Sequence, residues 1–170
     1  GTIGNAVNFP SVRGEDAARL RPFMRLAGSM GTLISQLGSG RTHALGIRYY
    51  GPLLAAHSTL VTNAAVAGLL RPILSGAVTV VTARSDAASR GIEIIESSST
   101  RPRDFTNLLS LKLHTSDGET WVEGTVFEPG SPRIALIDGV DVEAPLEGTL
   151  LVIKNDDQPG VIGEVGTVLG

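Results

Sequence analysis

A chain of 170 residues has room for one full domain and part of another. It carries 14 Lys plus Arg against 17 Asp plus Glu, a net charge of −3 and a pI near 5.6, and so lacks the basic field that non-specific nucleic-acid binding needs. Hydrophobic residues at 42% and charged residues at 18% exclude a disordered segment, while zero cysteines exclude disulfides, thiolate metal sites, iron–sulfur clusters and a cysteine nucleophile.

Residues 1–13 hold a short apolar run, Ala6 to Phe9, closed by Pro10. Leu20, Phe23, Met24, Ala27, Met30, Leu33, Ile34 and Leu37 then recur at steps of three and four, which predicts a helix from about Leu20 to Leu37. Pro22 suits its first turn and Gly38 its stop. Burying each large side chain of this stripe contributes about 1.5–3 kcal/mol, so it reads as a core face with Met24 and Met30 as filler. Thr42–Tyr50 reads as a strand, with His43, Leu45, Ile47 and Tyr49 on one face. A second helix is expected from Ser58 to Leu74, capped by Ser58 or Thr59 and ended or kinked at Pro72. Ala77–Val81 is a short β-branched run, and Ala83–Arg90 an Ala-rich helix closed by Gly91. Ile92–Glu96 predicts a strand and Ser97–Asp104 a polar loop.

Thr106–Leu113 and Thr120–Phe127 predict strands joined across Thr115-Ser116-Asp117-Gly118. Ile134–Ile137 and Val140–Val142 flank Asp138-Gly139 in the same way, and Asp-Gly between alternating runs signals a hairpin. Glu143–Gly148, bracketed by Pro145 and Gly148, reads as a linker. Beyond it, Thr149–Ile153 is expected to be a buried strand, Asn155–Gly160 a turn and Val161–Leu169 a helix. The expected fold class is α/β of the α+β kind: a mixed, partly antiparallel sheet with packed helices, followed by a truncated β-α unit. A strand and a few helical turns cannot bury an apolar face alone. With Gly at position 1 and Gly170 inside a helical pattern, the sequence reads as a piece of something longer. Apolar stretches stop well short of the roughly 20 residues a membrane span needs, and the start lacks a signal-peptide pattern. The expected compartment is the cytoplasm.

Candidate chemistry is sparse. His43, His57 and His114 lie far apart, without a metal-ligand spacing, so no metal is expected. There is no G-x-S-x-G elbow and no paired-carboxylate arrangement. Gly160, Gly163 and Gly166 form G-x-x-G-x-x-G with Pro159 in the turn, which is not a dinucleotide fingerprint. The richest stretch is Lys154–Gly160. A predicted helix start there offers free N–H donors, and Asn155 and Asp157, two apart, can project to the same side. Donors for a carboxylate and acceptors for an ammonium suit a zwitterionic amino acid. The competing reading is that Asp157 only caps the helix.

The run from Gly148 to Gly170, with Lys154-Asn-Asp-Asp-Gln-Pro-Gly160 at its turn, resembles the opening of an ACT domain, a small ferredoxin-like amino-acid-binding module. Upstream, Asn5-Ala-Val-Asn-Phe-Pro10, Leu26-Ala-Gly-Ser-Met-Gly31, Tyr49-Tyr-Gly-Pro52, Gly68-Leu-Leu-Arg-Pro72, Arg90-Gly-Ile92 and Phe105-Thr-Asn-Leu108 resemble the intervening, or allosteric substrate-binding, domain of long-type bacterial D-3-phosphoglycerate dehydrogenases. The resemblance implies an intervening domain over residues 1–145 and the beginning of an ACT domain over 146–170. It implies a regulatory segment of the enzyme that opens L-serine biosynthesis by NAD-dependent oxidation of 3-phosphoglycerate. L-serine would be the effector, held at Asn155, Asp157, Gly160 and Val161, with self-association through the ACT and intervening domains. Arg133 falls in the segment where the family is proposed to hold an anion, and Val140 and Pro145 stand where some members carry Arg. Arg101 and Arg103, beside Ser97-Ser98-Ser99, form an alternative anion-binding loop. Catalytic residues and the NAD cofactor would lie outside this chain, and neither nucleic acid nor membrane is an expected partner. Two other classes compete: a related domain of an L-serine dehydratase, and a free-standing amino-acid-binding or assembly module.

Overall fold

The computed structural model describes Val12 and residues 14–128, 130–146, 150–154 and 159–164. It opens with helix α1 (Gly14–Leu37), whose buried face of Leu20, Phe23, Met24, Ala27, Met30, Leu33 and Ile34 is the stripe read from the sequence. The helix starts six residues earlier than its apolar stripe, with Glu15 and Asp16 in the first turn, where the helix dipole favours them. Pro22 therefore lies inside α1 and not at its start. An interior proline removes one hydrogen bond and costs about 3 kcal/mol, which burial of several large side chains at ~1.5–3 kcal/mol each outweighs.

Strand β1 (Thr42–Tyr50) follows, then α2 (Pro52–Ala56), α3 (Ser58–Leu70), α4 (Ala83–Ser89) and β2 (Glu93–Ser99). A meander of β3 (Leu108–Thr115), β4 (Gly118–Phe127), β5 (Ser131–Ile137) and β6 (Val140–Pro145) completes one six-stranded sheet. Its order is β2-β1-β3-β4-β5-β6, parallel between β1 and β2 and antiparallel elsewhere. A separate two-stranded sheet pairs β7 (Leu150–Lys154) with β8 (Pro159–Glu164). The fold is thus mixed α/β with a partly antiparallel sheet. None of the described helices is long and apolar enough to cross a membrane.

One face of the large sheet, carrying Leu45, Ile47, Tyr49, Leu109, Leu111, Leu113 and Val122, packs with α1 and α3 into the main core. The helices touch backbone to backbone. Gly28 and Gly31 of α1 face Ala64, Ala65 and Gly68 of α3, and Thr32 Oγ1 donates to the Gly68 carbonyl at 2.9 Å. A polar chain ties the helical layer to the sheet. Tyr49 Oη bonds the Thr62 hydroxyl, Thr62 donates to Glu96 at 2.9 Å, and Arg84 bridges Glu96 at 2.7 Å and Asn63 at 2.6 Å. Burial pushes the Tyr49 phenol far up, so it stays protonated.

Both Asp-Gly hairpins form. Asp138 and Gly139 both take positive φ, 49° and 82°, as the type I′ turn demands, and Asp138 Oδ1 accepts the Trp121 N–H at 2.8 Å. Other expectations need correction. The helix predicted over 58–74 is α3 alone, ending at Leu70, and its N-cap is His57 with no side-chain cap from Ser58 or Thr59. Ala77–Val81, read only as a β-branched run, lies in turn and loop, with Val81 86% exposed. The strand predicted over 92–96 runs on to Ser99, since parallel pairing with β1 continues through Tyr50, so residues 97–99 are not loop. A register irregularity between Thr42 and Ala44 turns His43 outward, away from the face of Leu45, Ile47 and Tyr49. Glu143–Pro145 belongs to β6, bonded to β5, and is not linker. Lastly, residues 159–164 form a strand where a helix was expected to begin at Val161. Val161 and Ile162 are β-branched, and antiparallel pairing to β7 satisfies backbone groups that a lone short helix would leave to solvent.

Candidate functional site

The sheet's other face is partly covered by the chain between β2 and β3. Arg103 is the anchor of that segment. Its guanidinium lies over the Tyr50 ring at 4.6 Å and forms a bidentate pair with Glu123, whose side chain is 0% exposed. The hydrogen bond it donates to Glu123 raises the Arg103 pKa, so the guanidinium stays charged. Phe105 packs on Phe127, ring centroids 5.7 Å apart, and a small second cluster of Tyr50, Leu108 and Ala135 lies beneath. The corner between β1 and α2 meets the same loop. Gly51 has φ 102°, and a side chain there would collide with Thr106 and Asn107, whose Oδ1 accepts the Leu53 N–H at 3.2 Å.

Between corner and loop lies a pocket of about 440 Å³, within the range of small-ligand sites. Tyr50 and Phe105 give it apolar wall; Ser98, Ser99 and Thr100 give it hydroxyls. Arg101 lines it too, held by a turn in which its backbone N–H donates to Ser99 Oγ at 3.1 Å. Arg101 makes no ion pair among the described residues, whereas the charge of Arg103 is matched by Glu123. The two arginines are therefore not equivalent. Arg103 fixes the loop and Arg101 offers the free cation, an arrangement chemically suited to a small carboxylate or phosphate.

Arg133, the third sequence candidate, stands elsewhere. On β5, it stacks on Phe127 at 5.0 Å and donates to the Glu143 carbonyl at 2.9 Å, while its Nε is buried without a hydrogen-bond partner. Glu143 has φ 51° at an irregularity in the β5–β6 pairing, so Arg133 braces that bulge. Arg101 and Arg103 thus share a pocket and Arg133 does not line it. Gly160 and Val161 lie in β8, paired with Ile153 and Val152, and not at a helix start. Asn155 and Asp157 lie outside the described residues. The histidines are dispersed: His57 meets Asp16 and His114 meets Glu119, each at 3.3 Å, and His43 is exposed. Sequence reading missed Glu123 and Tyr50. The available signal was a carboxylate in the middle of the β4 run Thr120-Trp-Val-Glu-Gly-Thr-Val126, where a strand rarely buries a charge without a partner.

A helix-backed mixed sheet with a loop pinned across its free face and a small cation-lined pocket at one corner defines a mixed α/β domain. The chain belongs to the D-3-phosphoglycerate dehydrogenase intervening domain family, whose model matches residues 19–138. It is 34% identical over 98% of its length to a D-3-phosphoglycerate dehydrogenase of Synechocystis, covering 30% of that protein. The enzymes of Archaeoglobus fulgidus, at 34% identity, and Bacillus subtilis, at 30%, are each matched over 99% of this chain and 32% of their own length. The chain thus spans about a third of these relatives.

Proposed function

We infer that this chain is a regulatory segment of a phosphoglycerate dehydrogenase and that its loop pocket takes a small phosphorylated or carboxylate anion. The reading rests most on one observation: Arg101 has no ion-pair partner among the described residues and lines a pocket rich in hydroxyls, on a loop locked by Arg103 and Glu123. A cation that the protein leaves unpaired within a pocket is available to a ligand's anionic group. Family membership supplies the context, since 3-phosphoglycerate, the substrate named by the relatives, is itself such an anion. In this account residues 1–145 form the intervening domain and residues 146–170 begin an ACT domain, and the break between the two sheets after Pro145 supports that division. L-serine is the effector, bound through Asn155 and Asp157 with backbone from Gly160 and Val161, now on a strand edge. NAD and the oxidation of 3-phosphoglycerate belong to other parts of the enzyme, which is cytoplasmic and self-associates through these regulatory units.

The pocket is tested by calorimetric titration of the 170-residue chain with inorganic phosphate. Arg101→Ala should weaken binding roughly tenfold or more, the worth of one charge-assisted hydrogen bond at about 1.5–3 kcal/mol. It should not lower the melting temperature, because the side chain is exposed and unpaired. Equal affinity in the variant would remove Arg101 from the site.

A further inference from the structure

Between β2 and β4 the sheet's free face is uncovered and carries a second recess of about 410 Å³. Its residues stand in register. Ile95, Gly46, Lys112 and Trp121 form one row across four strands, each paired with the next. Ser97, Arg48 and Ser110 form the adjacent row. Gly46 makes the floor. Neighbouring strands lie about 4.8 Å apart, so leaving out one side chain opens a notch roughly 10 Å wide between Ile95 and Lys112.

The fold does not ask for glycine at this position. Its φ lies outside the left-handed region, pairing on both sides is regular, and an added Cβ would meet nothing closer than 3.7 Å. Glycine weakens a strand interior, and where no bulge or bend requires it, it marks a place that something approaches closely. What lines the notch is chemically particular. The sole tryptophan of the chain stands here, 37% exposed, its Nε1 donating to Ser110 Oγ at 2.7 Å so that the ring is held in place. Ile95 beside the notch is 46% exposed. Arg48 Nε donates to Ser97 Oγ at 3.2 Å, which fixes the guanidinium while its two outer nitrogens have no partner among the described residues. Lys112 and His114 are both turned to Glu119, at 3.0 and 3.3 Å, and Lys112 holds that carboxyl below its usual range, so the lysine charge is matched. Arg48 is the cation left over.

We propose that this notch is a binding site for a flat organic anion, an aryl or heteroaryl body bearing a phosphate or carboxylate. The flat body lies over Gly46 against Ile95 and the stem of Lys112, near the fixed indole. The anionic group meets the free edge of Arg48, with the Ser97 hydroxyl beside it. The site adjoins the Arg101 pocket, with Tyr50 lining both, but draws on a different cation.

Trp121 reports on the site directly, because no other tryptophan contributes emission. Titrating the 170-residue chain with adenosine 5′-monophosphate should give a saturable change in tryptophan fluorescence. Arg48→Ala should weaken it roughly tenfold or more, the loss of a charge-assisted contact. Gly46→Val, which adds a strand-favouring side chain and fills the floor, should abolish it while leaving the melting temperature at or above that of the parent. Arg101→Ala should leave it unchanged. Inorganic phosphate should give a response at least tenfold weaker, since it lacks the flat body. A change that does not saturate, persists in both Arg48→Ala and Gly46→Val, vanishes in Arg101→Ala, or is matched by inorganic phosphate overturns the proposal.

Discussion

Replacing Arg103 with alanine is expected to destabilise the domain more than any other single charge removal. The Glu123 side chain is 0% exposed and its pairing partner is Arg103. Removing one member of a buried pair leaves an uncompensated charge and costs about 3–5 kcal/mol, which for a chain of this size lowers the melting temperature by roughly 10 °C or more. The Lys112–Glu119 pair, with side chains 47% and 54% exposed, sets the contrast. An exposed pair is worth about 0–1 kcal/mol, so Lys112→Ala should barely move the melt. Changing both buried partners at once, Arg103→Met with Glu123→Leu, should recover much of the loss, because the cost lies in the stranded carboxylate and not in the missing pair. It should still loosen the loop, and with it the Arg101 pocket. A melt for Arg103→Ala as mild as that of Lys112→Ala would show that Glu123 is not dependent on its partner.

The second large effect belongs to the helix crossing. A Cβ on Gly68 would fall on the Gly28 carbonyl oxygen and within 2.8 Å of its carbon, and a Cβ on Gly31 would fall on the Ala65 carbonyl and 2.8 Å from the Leu69 nitrogen. In both cases the obstacle is backbone, which no rotamer change relieves. Gly68→Ala should therefore push α1 from α3, break the Thr32 bond to the Gly68 carbonyl, and cost about 1–3 kcal/mol or more. Gly76→Ala is the control. Nothing lies within 4 Å of that position, so its effect should stay within about 0.5 kcal/mol. Thermal melts of the two variants side by side decide the matter, and equal melts would mean that the helices do not rely on glycine contact.

These contacts also mark where sequence reading succeeds and where it stops. The α1 stripe and the Asp138-Gly139 turn are legible because each is a local rule: an apolar period of 3.6, and positive φ at two successive turn residues. Strand β1 is legible for the same reason, since Leu45, Ile47 and Tyr49 alternate as the pleat requires. Elements decided by partners are not. Ala77–Val81 is rich in β-branched residues and pairs with no strand. The apolar positions from Val161 to Leu169 follow a helical spacing, yet pairing with β7 makes residues 159–164 a strand. Pro22, an expected first-turn residue, is carried inside α1 because neighbouring burial outweighs its cost. In the site, the composition of the loop picks out Arg101 and Arg103 as a pair of cations. Their division of labour is set by Glu123, twenty residues beyond Arg103 in the chain, and is invisible until the strands are placed.

Steady-state kinetics of a full dehydrogenase carrying Arg101→Ala separate a regulatory Arg101 pocket, as proposed, from a catalytic one. Turnover of 3-phosphoglycerate should be measured with and without added inorganic phosphate, against the unaltered enzyme. With a regulatory pocket, turnover without phosphate should stay within about twofold of the parent, and the response to phosphate should shift to roughly tenfold higher concentration. An unshifted phosphate response would contradict it, as would loss of basal turnover, which would place Arg101 in the catalytic machinery itself.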